Sequence, residues 1–311
     1  MDVSRFAGES ASYTRATLAG NPTRWLIIIL LGLPWMLLSS LMENGRIVEG
    51  STIHWNLIPW DEAGLLIIAG ILCNFLLSGY IVRLLKGDAL PPEFDNWPRL
   101  WLDGMKVHVI PLVWILVPSI LALIEYNVAS GSLLPGSRWG ALPGTAVLLL
   151  LFLIQLVILF IAVQYGIVGA VRFARTGSVR EAFALNEIRK TLSRIGFLNY
   201  YIGLGVIILV WLAFNVLLGA LSLVPYAGPV LALGLGPFLT VFCVRFIAHS
   251  CDNVFPTAGR ETGAGRKRAP ASARATIPEL LLWSVVLTVL FVLCFTPLAL
   301  VAGSVSGFFL R

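Results

Sequence analysis

The chain has 311 residues, of which 58% are hydrophobic and 12% charged, whereas ordinary globular domains have about 45–50% apolar and about 25% charged residues. So few charged side chains cannot cover a water-soluble fold, which excludes an ordinary soluble protein. The net charge of +6 comes mainly from short segments beside apolar runs, so it does not indicate nucleic-acid binding.

Seven apolar stretches approach or exceed the roughly 17 to 25 residues that a helix needs to cross a bilayer. In chain order they lie near 25–42, 64–85, 107–124, 145–171, 200–224, 227–248 and 277–302. The first has no convincing cleavage site after it and is interpreted as a retained anchor. Because none of the seven shows the alternation of barrel strands, the sequence predicts an all-α, polytopic transmembrane helical bundle with seven spans.

The charge distribution predicts the orientation and the domain organisation. All Lys and Arg residues except Arg46, Arg138 and Arg311 fall in the N-terminal segment and in the second, fourth and sixth loops. Because short basic segments stay cytoplasmic, we expect a multi-pass membrane protein with a cytoplasmic N-terminus and an external C-terminus. The expected parts are a cytoplasmic segment 1–24, a six-span core 25–256, a basic flexible cytoplasmic linker 257–276, and a seventh span with a short external C-terminus at 277–311.

Two of these parts allow more than one interpretation. The linker carries GRKRAPASAR at 265–274, which is a topology determinant or a site that binds lipid or a partner. Spans two, four and six end in IVRLLKG, AVRFART and CVRFIAH, with arginines at Arg83, Arg172 and Arg245. These similar ends indicate either three repeated helical hairpins or three arginines that independently reach the headgroups.

The stretch PPEFDNWPRLWLDGMK at 91–106 predicts a short amphipathic helix. Asn96 is the expected N-cap, and the helix would run from Trp97 to about Lys106. Its apolar face would carry Trp97, Leu100, Trp101 and Met105, and its charged face Arg99, Asp103 and Lys106. We expect this helix to lie in the cytoplasmic membrane interface, with Glu93, Asp95 and Asp103 engaged in capping and salt bridges.

The fourth loop predicts a second interfacial helix. Ser178 and Glu181 have the spacing of a capping box, and an apolar stripe follows at Leu185, Ile188, Leu192 and Ile195. The segment 10–25 is a third and weaker example. The candidate contacts with the cytoplasmic interface or lipid are Arg83, Asp95, Trp97, Arg99, Trp101, Asp103, Arg172 and Arg245.

A resemblance to a known membrane-protein family is carried by successive blocks. They are YTRATLAGNPTRWLIIILLGLP at 13–34, GYIVRLLKG at 79–87 followed by PPEFDNWPRLWLDGMK, GSVREAFALNEIRK at 177–190, and VPYAGPVLALGLGPFL at 224–239. Over residues 1–255 the chain resembles the family called domain of unknown function 4013. The resemblance implies a prokaryotic, archaeal plasma-membrane protein and implies no activity.

The sequence contains no recognisable catalytic, cofactor-binding or metal-binding set, which favours a protein that is not an enzyme. None of the three histidines has HExxH spacing. The HSCD cluster at 249–252 supplies two or three metal ligands and would need another from elsewhere. The four cysteines show no CxxC pairing and imply no disulfide framework.

Two groups of residues within the spans are candidate functional positions. Asn74, Gln155, Gln164 and Asn215 are neutral polar residues that either hydrogen-bond between helices or line a path. Gly228, Pro229, Gly234, Gly236 and Pro237 are candidate helix-break positions in span six, where they would expose half-helix ends to a substrate or allow a kink and close packing.

These features lead to two functional hypotheses. The first is a non-enzymatic protein that organises the membrane or scaffolds a complex. The alternative is a transporter or channel for a small solute that uses a broken span six. The expected partners are membrane lipids, through anionic headgroups on the cytoplasmic side, and a protein partner or further copies of the chain; neither a cofactor nor a nucleic acid is expected.

Overall fold

The structure is a computed structural model that describes residues 3–45, 47–49, 52–129, 142–222 and 227–252, together with the single residues Leu282 and Leu287. The helices are α1 Val3–Leu18, α2 Pro22–Asn44, α3 Trp60–Leu85, α4 Trp97–Ala129, α5 Leu142–Thr176, α6 Leu185–Ile195, α7 Phe197–Ser222 and α8 Ala227–Asp252. Between α2 and α3, the strands β1 (Val48–Glu49) and β2 (Thr52–Ile53) pair antiparallel. Short 3-10 helices lie at Trp55–Leu57 and Val179–Phe183.

Six of the described helices are long and apolar enough to cross a membrane, judged by length and composition. The candidate spans are Pro22–Met42, Trp60–Leu85, Trp97–Glu125, Leu149–Thr176, Leu198–Leu221 and Leu233–Asp252. They confirm the first six predicted apolar stretches as helices and support a multi-pass membrane protein. The predicted linker and seventh span lie outside the described residues, apart from the two single leucines.

One boundary prediction is wrong. The sequence predicts a short helix ending near Lys106 and a separate span after it, but α4 is one helix from Trp97 to Ala129. Asn96 precedes it with a φ of +46°, whereas an N-cap residue usually has extended backbone. Asparagine tolerates this left-handed conformation, so the residue turns the chain into α4 without the predicted cap geometry.

Glycines end two of the helices. Gly177 follows α5 with a φ of +73°, and Gly196 follows α6 with a φ of +84°. Their amides donate to Phe173 O at 2.7 Å and Leu192 O at 3.1 Å. Glycine adopts this left-handed conformation without a steric penalty, so both helices stop at these positions.

The described chain divides into two compact units. One comprises Met1–Gly104 and Arg189–Ala275, and the other comprises Met105–Ile188 and Thr276–Arg311. In the first, α2 packs on α3 and α1 packs on α8, around the buried residues Leu18, Ile28, Tyr80, Leu84, Leu100 and Val241. In the second, α5 packs on the 3-10 helix Val179–Phe183, and its buried residues include Ile110, Val168, Val171, Phe173 and Ala182.

Candidate functional site: arginine clamps at the helix ends

Arg83, in the last turn of α3, holds the connection between α3 and α4. Its guanidinium donates to Glu93 O at 2.7 Å and to Asp95 O at 2.9 Å. It also binds the carboxylate of Asp95. The Arg83 side chain is 14% exposed and the Asp95 side chain 71%, so a shielded arginine fixes an exposed loop. We call this set of contacts the first clamp.

Aromatic rings pack beside the first clamp. The ring of Tyr80, which is 1% exposed, stacks on Phe94 with centroids 4.2 Å apart. Phe94 also stacks on Trp97 at 5.8 Å, and Trp101 meets Phe75 edge to face at 5.7 Å. Trp97 keeps 43% of its surface exposed. Two of the predicted interface residues, Trp97 and Trp101, therefore contact the protein itself, and Trp97 also keeps an open surface.

Two glycines allow α3 and the start of α4 to touch through their backbones. A Cβ atom on Gly79 would overlap the carbonyl of Leu100, and one on Gly104 would overlap the carbonyl of Phe75. Small residues permit this close approach between helices in membranes. The crossing places the loop between α3 and α4 within reach of Arg83, and no pattern in the sequence predicts it.

The predicted charged face of this segment is partly buried. Arg99 Nε lies 3.2 Å from Asp103 Oδ1 in an i, i+4 ion pair, which confirms salt bridging within the segment. Asp103 is 9% exposed and Lys106 8%, whereas a helix lying flat in the interface would expose both. Leu100 and Met105, from the predicted apolar face, are also buried. The first turns of α4 are therefore packed on more than one side.

Arg172, near the end of α5, forms a second clamp. Its Nη2 donates to Glu181 Oε2 at 2.5 Å and its Nε to Glu181 O at 3.2 Å. A Cβ atom on Gly169 would come within 2.6 Å of Ala182 O, so a glycine again lets the following segment approach. The predicted capping box is wrong, because the Ser178 side chain makes no cap hydrogen bond and the Glu181 carboxylate faces the arginine.

The third arginine, Arg245 on α8, has a different environment. Its guanidinium carbon lies 4.2 Å from the ring centroid of Tyr13 on α1, a cation–π contact. Arg245 is 4% exposed, and its Nε and Nη1 have no hydrogen-bond partner in the described part of the chain. Burial raises the pKa of Tyr13, and the nearby positive charge of Arg245 partly opposes that rise.

The polar residues predicted at depth do not share one environment. Asn215 is exposed on α7, and its amide donates to Trp211 O of the same helix at 2.8 Å. Gln164 on α5 is 5% exposed, and its Oε1 has no hydrogen-bond partner among the described residues. Asn74 is half-buried on α3.

Gln155 lies beside a carboxylate that the sequence analysis missed. With its amide oriented to face Glu125, the Gln155 nitrogen lies 2.9 Å from Oε1 and 2.7 Å from Oε2 of that residue. Glu125 falls within the candidate span of α4, just beyond the predicted end of the third apolar stretch at 124. An ionisable residue within a span is a candidate functional residue, so this pair between α4 and α5 is a candidate functional contact.

The predicted break in span six is absent, because α8 is continuous from Ala227 to Asp252 with Pro237 inside it. The helix therefore runs through Gly228, Pro229, Gly234, Gly236 and Pro237 without exposing half-helix ends. Close packing accounts for part of this pattern, since Trp25 Nε1 of α2 donates to Gly234 O at 2.8 Å and the Trp25 ring meets Phe238 edge to face at 5.6 Å.

In the structure, two residues of the HSCD cluster, His249 and Asp252, contact each other. His249 Nδ1 lies 3.0 Å from Asp252 Oδ2, and Cys251 is buried and forms no disulfide with the described residues. Among the residues that the structure describes, no group of three or more His, Cys, Asp or Glu side chains is placed to hold a metal ion. His249 also stacks on Phe6 of α1 at 6.3 Å, so the cluster helps to seat α1 on α8.

Comparison with known families decides the classification. The family described as "Protein of unknown function (DUF4013)" matches residues 63–223, just over half of the chain. The chain belongs to this family. The DUF4013 match includes both clamps and the α3–α4 crossing, but not the blocks at 13–34 and 224–239 that also suggested the resemblance. No curated protein and no solved structure matches the chain.

Proposed function

We propose that this protein is a non-enzymatic integral membrane protein that organises the membrane or scaffolds a complex. The observation that carries the proposal is the use of charged residues at the helix ends. Arg83 and Arg172 both bind the segment that follows their own helix, and Arg99 binds Asp103 within α4. Arg83 and Arg172 thereby hold loops in fixed positions, which is what a scaffold needs.

The proposal includes a location and a topology. The charge distribution favours a cytoplasmic side for the N-terminus and the two clamped loops. The family resemblance favours the plasma membrane of an archaeal cell. The external C-terminus depends on a seventh span at 277–302. Reporter fusions within the α3–α4 loop, within the α2–α3 loop and after Arg311 test this topology, and a cytoplasmic reporter after Arg311 would contradict seven spans.

The α3–α4 loop is the proposed contact for a protein partner or a second copy of the chain. Leu90 is 80% exposed there, and the Glu93 side chain is 81% exposed. An apolar residue beside exposed carboxylates, on a loop fixed by the first clamp, is suited to a protein contact. The partner would meet an ordered surface and would not have to order the loop on binding.

Cross-linking in native membranes tests the scaffold proposal. A photoreactive residue at position 90 is expected to give one dominant cross-linked species, either a homodimer or a complex of fixed composition. With the photoreactive residue in place, the added substitution Glu93→Ala should reduce that species because it removes an exposed carboxylate from the contact surface. Leu57→Ser, at a 50% exposed leucine between α2 and α3, should leave it unchanged. Diffuse cross-linking that neither substitution alters would contradict the proposal.

A transporter or channel for a small solute is the second candidate, and the Glu125–Gln155 pair favours it. A carboxylate and an amide that face each other between two candidate spans could coordinate a cation or carry a proton. Purified protein in vesicles with cation- or pH-sensitive dyes tests this function. A flux that Glu125→Gln abolishes would replace the scaffold proposal, and protein-independent leakage would exclude transport of the ions assayed.

A further inference from the structure

A cleft between α1, α7 and α8 has an apolar interior that adjoins a cationic side chain. Its volume is about 280 Å³. Its lining residues are Ala11, Thr14, Arg15, Val210, Phe214, Phe238, Leu239 and Phe242. All of these residues belong to the same compact unit.

The walls of the cleft that α7 and α8 form belong to candidate membrane spans. Val210 and Phe214 lie in the span of α7, and Phe238, Leu239 and Phe242 lie in that of α8. The hydroxyl of Thr14 already donates to Ser10 O at 2.7 Å. Ordered water needs two to four polar partners, which these apolar walls do not supply. Hydrocarbon is therefore the chemical match for the interior.

Arg15 gives the cleft its charge. It lies in the last turn of α1 and also lines a larger hollow of about 680 Å³ along this helix. In the part of the chain that the structure describes, no carboxylate forms an ion pair with it. The Glu9 carboxylate of α1 is already paired with Arg5, because Arg5 Nε lies 2.7 Å from Glu9 Oε1. An anion that binds Arg15 therefore does not compete with a carboxylate of α1.

We propose that this cleft is a binding site for one anionic phospholipid, with an acyl chain against α7 and α8 and the phosphate on Arg15. The inference deepens the proposed membrane-organising function and rests on it. A guanidinium matches a phosphate in charge and in bidentate geometry. The amphipathic helix α1, packed on α8, would then cover the lipid and tie the N-terminal segment to the inner leaflet.

Native mass spectrometry of the full-length protein tests the site, with phosphatidylglycerol, phosphatidylcholine of the same acyl chains and inorganic phosphate as probes. The wild type should retain phosphatidylglycerol about fivefold more strongly than phosphatidylcholine, the effect expected for one arginine near an anionic surface. The variant R15Q should lose this preference. The control R5Q, whose side chain is 65% exposed and paired with Glu9, should keep it.

A matched pair of substitutions tests the acyl-chain part of the site. Val210→Phe adds bulk within the cleft and should lower retention of both phospholipids. Its neighbour Leu209, which is 65% exposed and does not line the cleft, supplies the control Leu209→Phe with unchanged retention. Circular dichroism and thermal unfolding check that each variant is folded, and a folded R15Q keeps the test valid if the bulkier variant fails to fold.

Two results would overturn the lipid site. One is wild-type lipid selectivity in folded R15Q together with wild-type retention of both phospholipids in folded V210F. The other is displacement of phosphatidylglycerol by inorganic phosphate, which would mean that the anion alone is recognised. Either result leaves the scaffold proposal standing, because that proposal is measured by cross-linking at position 90. Loss of the cross-linked species with intact lipid selectivity would instead reject the scaffold and retain the lipid site.

Discussion

The guanidinium of Arg83 binds the carboxylate of Asp95, twelve residues farther along the chain. The same guanidinium donates to the carbonyls of Glu93 and Asp95. One side chain therefore holds the loop through both a charge and two backbone acceptors. Most exposed ion pairs contribute little to stability, so the carbonyl contacts should account for much of the effect of this arginine.

Substitutions of the first clamp should separate these contributions. Asp95→Asn is expected to lower the free energy of unfolding by about 0.2–1 kcal/mol, since the carboxylate is largely exposed. Arg83→Ala should cost about 1.5–3 kcal/mol because the carbonyl contacts are also lost. Thermal unfolding in detergent measures both, with Arg5→Ala as the control. Equal effects of R83A and D95N would contradict this division.

The crossing of α3 and α4 should tolerate no side chain at Gly79 or Gly104. Gly79→Ala or Gly104→Ala places a methyl group against backbone of the facing helix, so we expect a loss of more than about 3 kcal/mol or no folded protein. At Gly205 on α7 an added Cβ atom meets nothing within 4 Å, and Gly205→Ala should be neutral. Expression and melting temperature in detergent give the comparison. Wild-type stability of G79A would show that the helices do not touch through backbone.

The second clamp should show energetic coupling between its two residues. Arg172 is 7% exposed and binds both the carboxylate and the carbonyl of Glu181. A double-mutant cycle with Arg172→Gln and Glu181→Gln should give a coupling energy of about 0.5–3 kcal/mol. The cycle is measured by thermal or denaturant unfolding in one detergent. Additive effects would mean that the pair does not interact in solution.

The contact between Tyr13 and Arg245 predicts a dependence on alkaline pH. The pKa of Tyr13 in the folded protein is raised from 10.0 by burial. Its contribution to stability is therefore complete below the unfolded value and falls as the pH rises through the folded value. Tyr13→Phe keeps the ring over Arg245 and should reduce the loss of melting temperature between pH ~9 and pH ~11. An identical pH profile for Y13F would contradict this.

The spans could be predicted from the sequence because each needs only a long run of apolar residues, and local composition records it. The boundaries of α4 could not be predicted in this way. The charged residues between Trp97 and Lys106 indicate a surface helix whether or not the helix continues beyond Lys106. Its true position depends on the crossing at Gly79 and Gly104, where each glycine matters only in relation to a distant carbonyl. No spacing along the chain encodes that contact.

The residues of the candidate site could likewise be predicted only in part from the sequence. The sequence identified Arg83, Arg172 and Arg245 by their common position at span ends, but not the acceptors that two of them bind. Those acceptors depend on how each following loop turns back. Glu125 was missed because it lies one residue beyond a predicted apolar stretch, and only the continued helix places it beside Gln155.

The central claim is that the protein is a scaffold and that the polar side chains of its spans do not line a path for solute. Cysteine accessibility tests it most directly, with single cysteines at positions 74, 155, 164 and 215 in a background without the four native cysteines. A cysteine at position 90 is the positive control. The scaffold account predicts that a membrane-impermeant thiol reagent, applied to broken membranes so that it reaches both faces, modifies position 90 alone. Modification of two or more span positions would contradict it.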